Sequence, residues 1–383
     1  MKKVIYCIIS VVFILMIFVS LKPSDKRTVI QFASWGSQSE IEILKPIIEE
    51  YEKQNPDIKV DFLHIPQNYF QKIHLLFASN LAPDIIFINN LNIPVYSEFL
   101  EDLSNCINKE EFYEKTLQAM SYEDKLLAVP RDVSTMIVYY NKTLFDKYNI
   151  DYPKESWNFN DLLDICSKFK TKGIFGISFD EQVLYYLPYL MSSGGGILSD
   201  DLQKIIIDTP ESQQGLKFYA DLRNKYNYAP KKSQSASATM AQMFLQQKLA
   251  LHLSGRWMVP KYRSSAEFDW DVINFPAGKA GSIVPLDASG WAISKSSKHK
   301  SEAIKFIQYI SSKENIAKMT SCGLITPART DVAQSSDFLC GKPNSQIYFL
   351  KAINMSKPTP VSKNYSELID KLSNNLEPMF NPQ

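Results

Sequence analysis

Residues 126–142 read LLAVPRDVSTMIVYYNK, and the fold turns on how this stretch is parsed. Pro130 ends an apolar run, the polar residues Arg131, Asp132, Ser134 and Thr135 follow, and Met136 opens a β-branched and aromatic segment closed by Asn141 and Lys142. A polar break inside an extended segment predicts a hinge at which the chain leaves one lobe and enters another. A strand exposed where two lobes face each other presents side chains to the cleft between them, where small-molecule sites tend to occur. An ordinary strand preceded by a loop is the competing parse.

Upstream, strands and helices alternate. Residues 28–33 read as a strand running into Ser34-Trp35-Gly36-Ser37-Gln38. Glu40 then opens a helix in which Ile41, Leu44, Ile47, Ile48 and Tyr51 recur at helical spacing, and Asn55-Pro56-Asp57 stops it. A strand over 58–63 and a helix over 69–80 follow. Pro83-Asp84 then leads into Ile85-Ile86-Phe87-Ile88, a run of the kind buried on both faces of a parallel sheet. This order is that of an α/β unit. Ligands of such open sheets sit beyond the carboxyl ends of the strands, which singles out residues 35–38 and Asn89 with Asn90.

Downstream, Asn160 is the expected N-cap of a helix over 161–170, and 173–179 resembles a strand. A short apolar helix (185–191) and a glycine-rich turn (192–196) follow; the turn lacks the Lys-Ser/Thr ending of a phosphate loop. A helix over 210–227 precedes a strand over 249–253 that ends in Ser254-Gly255-Arg256-Trp257. Residues 271–275 form a further strand, 284–291 a second crossover, 301–311 a helix and 323–329 a third crossover, with helix and loops to the end. Trp35 and Trp257 both stand at strand ends, so they are candidates for a stacking platform as well as for core packing.

The chain has 383 residues, room for two domains of ordinary size. Its formal net charge of +1 removes the electrostatic case for nucleic acid as a partner. Lys2 and Lys3 precede an apolar segment over 4–21, and 22–27 make a polar linker. That is the layout of a secretory signal, but the apolar part approaches the span of a bilayer, has no small-x-small cleavage site at its end, and is not followed by a cysteine for lipid attachment. Export is expected, to the periplasm or the outer face of the cytoplasmic membrane, with the segment kept as an uncleaved anchor. Cys7 falls in that segment. Cys106, Cys166, Cys322 and Cys340 show no C-x-x-C spacing, which argues against zinc, and they leave three complete disulfide pairings open beside free thiols.

Taken together, these pieces resemble the family 1 extracellular solute-binding proteins of bacterial ABC importers, the maltose-binding-like, sugar-binding group. The resemblance rests on Trp35 after the first strand, Tyr51-Glu52-Lys53-Gln54-Asn55-Pro56-Asp57, Ala82-Pro83-Asp84-Ile85-Ile86 and Leu127-Ala128-Val129-Pro130 with Tyr139-Tyr140-Asn141-Lys142. In the later half it rests on Leu249-Ala250-Leu251, Ser254-Gly255-Arg256-Trp257, Gly290-Trp291-Ala292-Ile293 and 323–329, in this order over nearly all of the chain after the anchor. It implies a class II periplasmic-binding-protein-like fold: two α/β lobes joined by three hinge crossings, with a ligand cleft between them. Lobe 1 would comprise 28–131 with 286–329, and lobe 2 132–285 with 330–383, the crossings falling near 131–134, 283–287 and 327–330. It also implies a monomer that takes a sugar or polyol, with glycerol-phosphate derivatives as an alternative, and serves the transmembrane subunits of an ABC permease. The solute-contacting candidates carried over are Trp35, Gln38, Tyr69, Asn90, Ser134, Ser254, Arg256, Trp257 and Asp287. Ile88 and Asn89 stand where the maltose-binding pattern has an aromatic, which argues against maltodextrin.

Sugar recognition needs an aromatic face against the C–H face of the ring and planar polar groups for the hydroxyls. Trp257, Trp35, Asn90, Ser134 and Arg256 supply that set, while Arg131 and Arg256 leave an anionic solute open, because guanidinium binds phosphate bidentately. An enzyme is the competing class. The four histidines lack an H-E-x-x-H arrangement, no G-x-S-x-G occurs, and the carboxylates form no visible constellation, so neither catalysis nor a cofactor or metal is expected. A solute sensor reporting to a membrane receptor is the third reading.

Overall fold

The computed structural model describes residues 27–235, 238–321 and 323–382. The apolar segment 4–21 and the cysteines Cys7 and Cys322 lie outside them. Among the described residues the strands in chain order are β1 (Thr28–Ser34), β2 (Ile58–His64), β3 (Ile85–Asn89), β4 (Ser121–Tyr122), β5 (Lys125–Leu126), β6 (Val129–Thr135) and β7 (Ile137–Asn141). They continue with β8 (Phe175–Ile177), β9 (Leu249–Ser254), β10 (Trp270–Ile273), β11 (Val284–Ile293), β12 (Thr326–Pro327) and β13 (Ser356–Pro358). A large sheet is ordered β12-β6-β11-β3-β1-β2 with β13 paired to β11. A smaller one runs β10-β7-β9-β8, and β4 and β5 form a hairpin. Each sheet, with its helices, makes one lobe of an α/β pair.

The first lobe forms for the reasons its periodicity suggests. Ile41, Leu44, Ile47, Ile48 and Tyr51 line one stripe of the helix Gln38–Gln54 and are all buried, the last four in one cluster with Ile30, Phe32 and Val60. Ile73 of the helix Tyr69–Ala78 is buried on the other face with Ala33, Ile86 and Ile88. Each such side chain contributes about 1.5–3 kcal/mol relative to remaining exposed. The alternation of β1 thus divides its residues between two helices, and β1 pairs in parallel with both β2 and β3. Ser37 and Glu40 close a capping box at the start of the first helix.

Two details differ from expectation. The polar break at 131–135 is continuous strand, the second half of β6, which pairs with β11 and β12; Arg131 there pairs with its neighbour Asp132 and with Glu40. The N-cap of the helix Phe159–Lys170 is Asn158, which forms a capping box with Asp161, rather than Asn160. β12 and β13 both pair in the large sheet, while the residues between them also reach the smaller one, Lys342 pairing with Asp269, Ser345 with Asp271 and Gln346 with Arg256. The helix Tyr365–Phe380 packs on the second lobe, with the Phe380 ring 5.5 Å from Phe179 and 5.8 Å from Tyr219. Met136 is the one residue between β6 and β7, and residues 274–283 join β10 to β11. Cys106, Cys166 and Cys340 are free thiols.

Candidate functional site

Beyond the carboxyl end of β3 the chain turns at Asn90, which is buried. Its side-chain amide donates to Asp287 Oδ1 (3.1 Å), and its Oδ1 accepts from the Ala288 N–H (3.0 Å). One amide therefore joins the end of β3 to the middle of β11. Asp287 lies opposite Ser134 in the pairing of β11 with β6, and Ser289 lies opposite Asn89. From the second lobe comes Trp257, on the single turn Arg256–Met258 that follows β9. Gly255 makes room for it: a Cβ there would fall 1.8 Å from the Trp257 ring. The Gly255 carbonyl accepts from the Tyr139 hydroxyl at 2.8 Å, which fixes the turn to β7.

Asn90, Ser134, Trp257 and Asp287 line one cavity of about 180 Å³, with Met136 and Leu184 among its other walls. Four sequence candidates, from both lobes, thus meet. Burial raises the pKa of the Asp287 carboxyl, opposed by the Asn90 amide and the Thr359 hydroxyl. No lysine or arginine is among the described residues lining this cavity. It offers an indole face, a carboxylate, amides and hydroxyls, a set suited to hydroxyl donors and acceptors.

The remaining candidates are placed elsewhere. Trp35 is half-buried against Phe87, Tyr69 and Phe70, with ring centroids 4.2, 5.0 and 5.4 Å away. It borders a separate crevice of about 20 Å³ beside Arg131. Gln38 is exposed on the helix surface and donates to Glu42. Tyr69 is a core residue whose hydroxyl donates to the Ala33 carbonyl (3.1 Å). Ser254 is buried at the end of β9, hydrogen-bonded to Tyr185. Arg256 is packed inward: its guanidinium carbon lies 4.2 Å from the Phe338 ring and 4.8 Å from Phe349, its Nε donates to the Ile325 carbonyl (2.8 Å), and it bonds Gln346. Arg131 is likewise engaged, by Asp132 (2.6 Å) and Glu40 (3.3 Å), with its guanidinium 4.2 Å over Phe87. Neither arginine reaches the cavity that holds Trp257.

A larger groove, about 1010 Å³, shares Asn90 but none of the other candidates; Lys115, Tyr122, Asp200, Lys357 and Thr359 are among its walls. Lys115 is tied to the carbonyls of Ile353 (3.0 Å), Asn354 (2.7 Å) and Ser356 (2.7 Å), so it braces β13. Sequence reading missed this groove because β13 has three residues, one of them proline, and carries no periodic signal.

Residues 35–317 match the model of a family described as bacterial extracellular solute-binding protein. Among solved structures, the chain is similar to an ABC substrate-binding protein from Listeria monocytogenes in complex with cycloalternan. That likeness has a TM-score of 0.83 at 24% identity and covers 93% of this chain and 94% of that one. It is also similar to UgpB from Mycobacterium tuberculosis in complex with glycerophosphocholine, with TM-score 0.79, 16% identity and 93% of each chain covered. A curated relative, an uncharacterized lipoprotein of Streptomyces antibioticus, is 21% identical over 328 residues, spanning 80% of this chain and 72% of its own.

Proposed function

The chain belongs to the bacterial extracellular solute-binding proteins, and from that membership we propose that it captures an uncharged sugar or polyol between its lobes and delivers it to the membrane subunits of an ABC importer. The observation that carries the choice of solute is the cavity shared by Trp257, Asn90, Ser134 and Asp287, which holds a carboxylate and no cation. A phosphorylated solute placed there would meet the Asp287 carboxylate without a guanidinium to offset it. Arg131 and Arg256, the residues that left an anionic solute open, are both committed to internal partners. We propose Asn90, Ser134, Trp257 and Asp287 as solute contacts, with Met136 as the pivot of closure. In this reading lobe 1 is built from 28–135 with 284–327 and strand β13, and lobe 2 from 137–283 with 336–354 and the C-terminal helix, since Lys342, Ser345 and Gln346 hold Asp269, Asp271 and Arg256. A solute bridging the two binds the closed arrangement better and shifts the population toward it.

We further propose that the protein acts as a monomer, without catalysis, and is held at the outer face of the cytoplasmic membrane by residues 4–21. Support for anchoring is the length of that apolar run and the absence of a small-x-small site after it.

The deciding experiment is a thermal-shift screen against sugars and polyols and their phosphate esters, followed by calorimetry on any hit. A bound solute at a hundredfold excess over its Kd stabilises by about 2.7 kcal/mol. An uncharged member should give the largest shift, and Trp257→Ala should cut it to about a third at the same concentration. Preference for the phosphate esters would overturn the solute class, and hydrolysis products in the incubation would overturn the binding role in favour of an enzyme.

A further inference from the structure

The helix Tyr69–Ala78 runs from β2 back to β3, antiparallel to the parallel strands β1, β2 and β3, so its carboxyl end lies at the pole where those strands begin. That pole carries a concentration of exposed apolar side chains. Leu75 is 62% exposed, Leu81 67% and Phe99 49%. Local contacts hold them together: the Leu81 N–H bonds the Leu76 carbonyl (2.9 Å), and the Phe99 ring lies 5.4 Å from Phe77. Phe99 is fastened to the same pole, since its carbonyl accepts from Lys295, beside Ser294, whose N–H bonds Asp84 just before β3. Val29, 38% exposed, lies on the face of β1 that Ala33 shares with Ile73, past the end of the helix. Large apolar groups exposed together mark an interaction surface.

What covers them is indicated by where the chain enters. β1 begins at Thr28, one residue before Val29, and only Lys22–Arg27 separate it from the apolar run 4–21. Six residues span at most about 20 Å when fully extended. If residues 4–21 cross the bilayer, as the anchoring reading on which this inference rests has it, the pole cannot stand far from the lipid surface. The linker carries Lys22 and Lys26 against Asp25, a basic excess that anionic headgroups attract. We propose that this pole of the first lobe, centred on Leu75, Leu81 and Phe99, lies in the phospholipid headgroup layer. The strand ends that open on the solute cavity are at the opposite pole and face away from the lipid.

The test uses the full chain reconstituted in vesicles of phosphatidylcholine and phosphatidylglycerol doped with a phospholipid that is photoactivatable near its headgroup, with adducts mapped by mass spectrometry. Labelling of 75–81 and Phe99 should exceed severalfold that of Ile205 and Ile347, which are exposed elsewhere. It should drop severalfold in Leu75→Ser/Leu81→Ser/Phe99→Ser while labelling of 4–21 is unchanged. Thermal unfolding of the triple variant, matching that of the parent, confirms that it is folded. Labelling confined to 1–27, uniform labelling, or cross-links joining these positions to a second copy would each overturn the proposal and leave the anchor standing. Recovery of a chain that has lost residues 4–21 would overturn the anchor reading and this proposal with it.

Discussion

At Gly255 the backbone φ is −104°, a value open to any residue, so the glycine is required by space and not by conformation. Gly255→Ala should drive the indole of Trp257 out of its position and weaken solute binding by about 1–3 kcal/mol, read by calorimetry, with little change in the unfolding midpoint. Trp257→Ala should cost about 2 kcal/mol, roughly thirtyfold in Kd; an unchanged Kd would remove the ring from the site. Asp287 gives a pH signature. Its pKa is raised by burial, so the folded state disfavours its ionised form. That penalty is absent below the ordinary carboxylate range, near pH 4, and grows as pH rises through the unfolded and then the folded pKa. Asp287→Asn should therefore raise the unfolding midpoint of the solute-free protein near neutral pH, with the gain vanishing in acid. The two arginines show what a linear reading conceals. Arg131 meets Glu40 across 91 positions and Arg256 meets Gln346 across 90, so side chains that look available for an anion are consumed by partners that no local pattern reveals. Arg131→Met would leave Asp132 buried without its cation and should cost about 3–5 kcal/mol, measured by denaturant titration.

Elements with an amphipathic period were legible. The helices Gln38–Gln54, Pro210–Asn224 and Lys300–Ile310 fall within a few residues of where apolar spacing puts them. Strand β6 was not, since four of its seven residues are polar and its identity comes from pairing on both edges. Where β6 meets β11 the register shifts between Ser289 and Gly290, and a Cβ at Gly290 would fall 2.1 Å from the Val129 carbonyl oxygen. Backbone cannot yield as a flexible side chain can. Gly290→Ala should accordingly destabilise the fold by about 1–3 kcal/mol, seen as a lower unfolding midpoint. The same substitution at Gly173, whose Cβ would meet nothing within 4 Å but whose φ is +74°, separates strain from collision.

Over the whole molecule, the two-lobe plan could be read from the order of motifs, and four of the nine candidate solute contacts share one cavity. Asn90, Ser134, Trp257 and Asp287 were found by their places at strand ends and crossings, and they do converge. What failed, for Tyr69 and Arg256, was the distinction between facing the cleft and facing the core, because a position at a strand end does not specify which way a side chain packs. Closure itself is a prediction at this scale: the radius of gyration measured by X-ray scattering should fall on addition of a binding sugar and stay constant for Trp257→Ala. Met136 is the one residue between β6 and β7, and its buried side chain is also a wall of the cavity. In the proposed closure, any torsion that swings one sheet against the other would be felt by that thioether beside the bound solute. A carbon-13 label on that methyl would be a natural gauge, its resonance reporting occupancy and interlobe angle from a single atom.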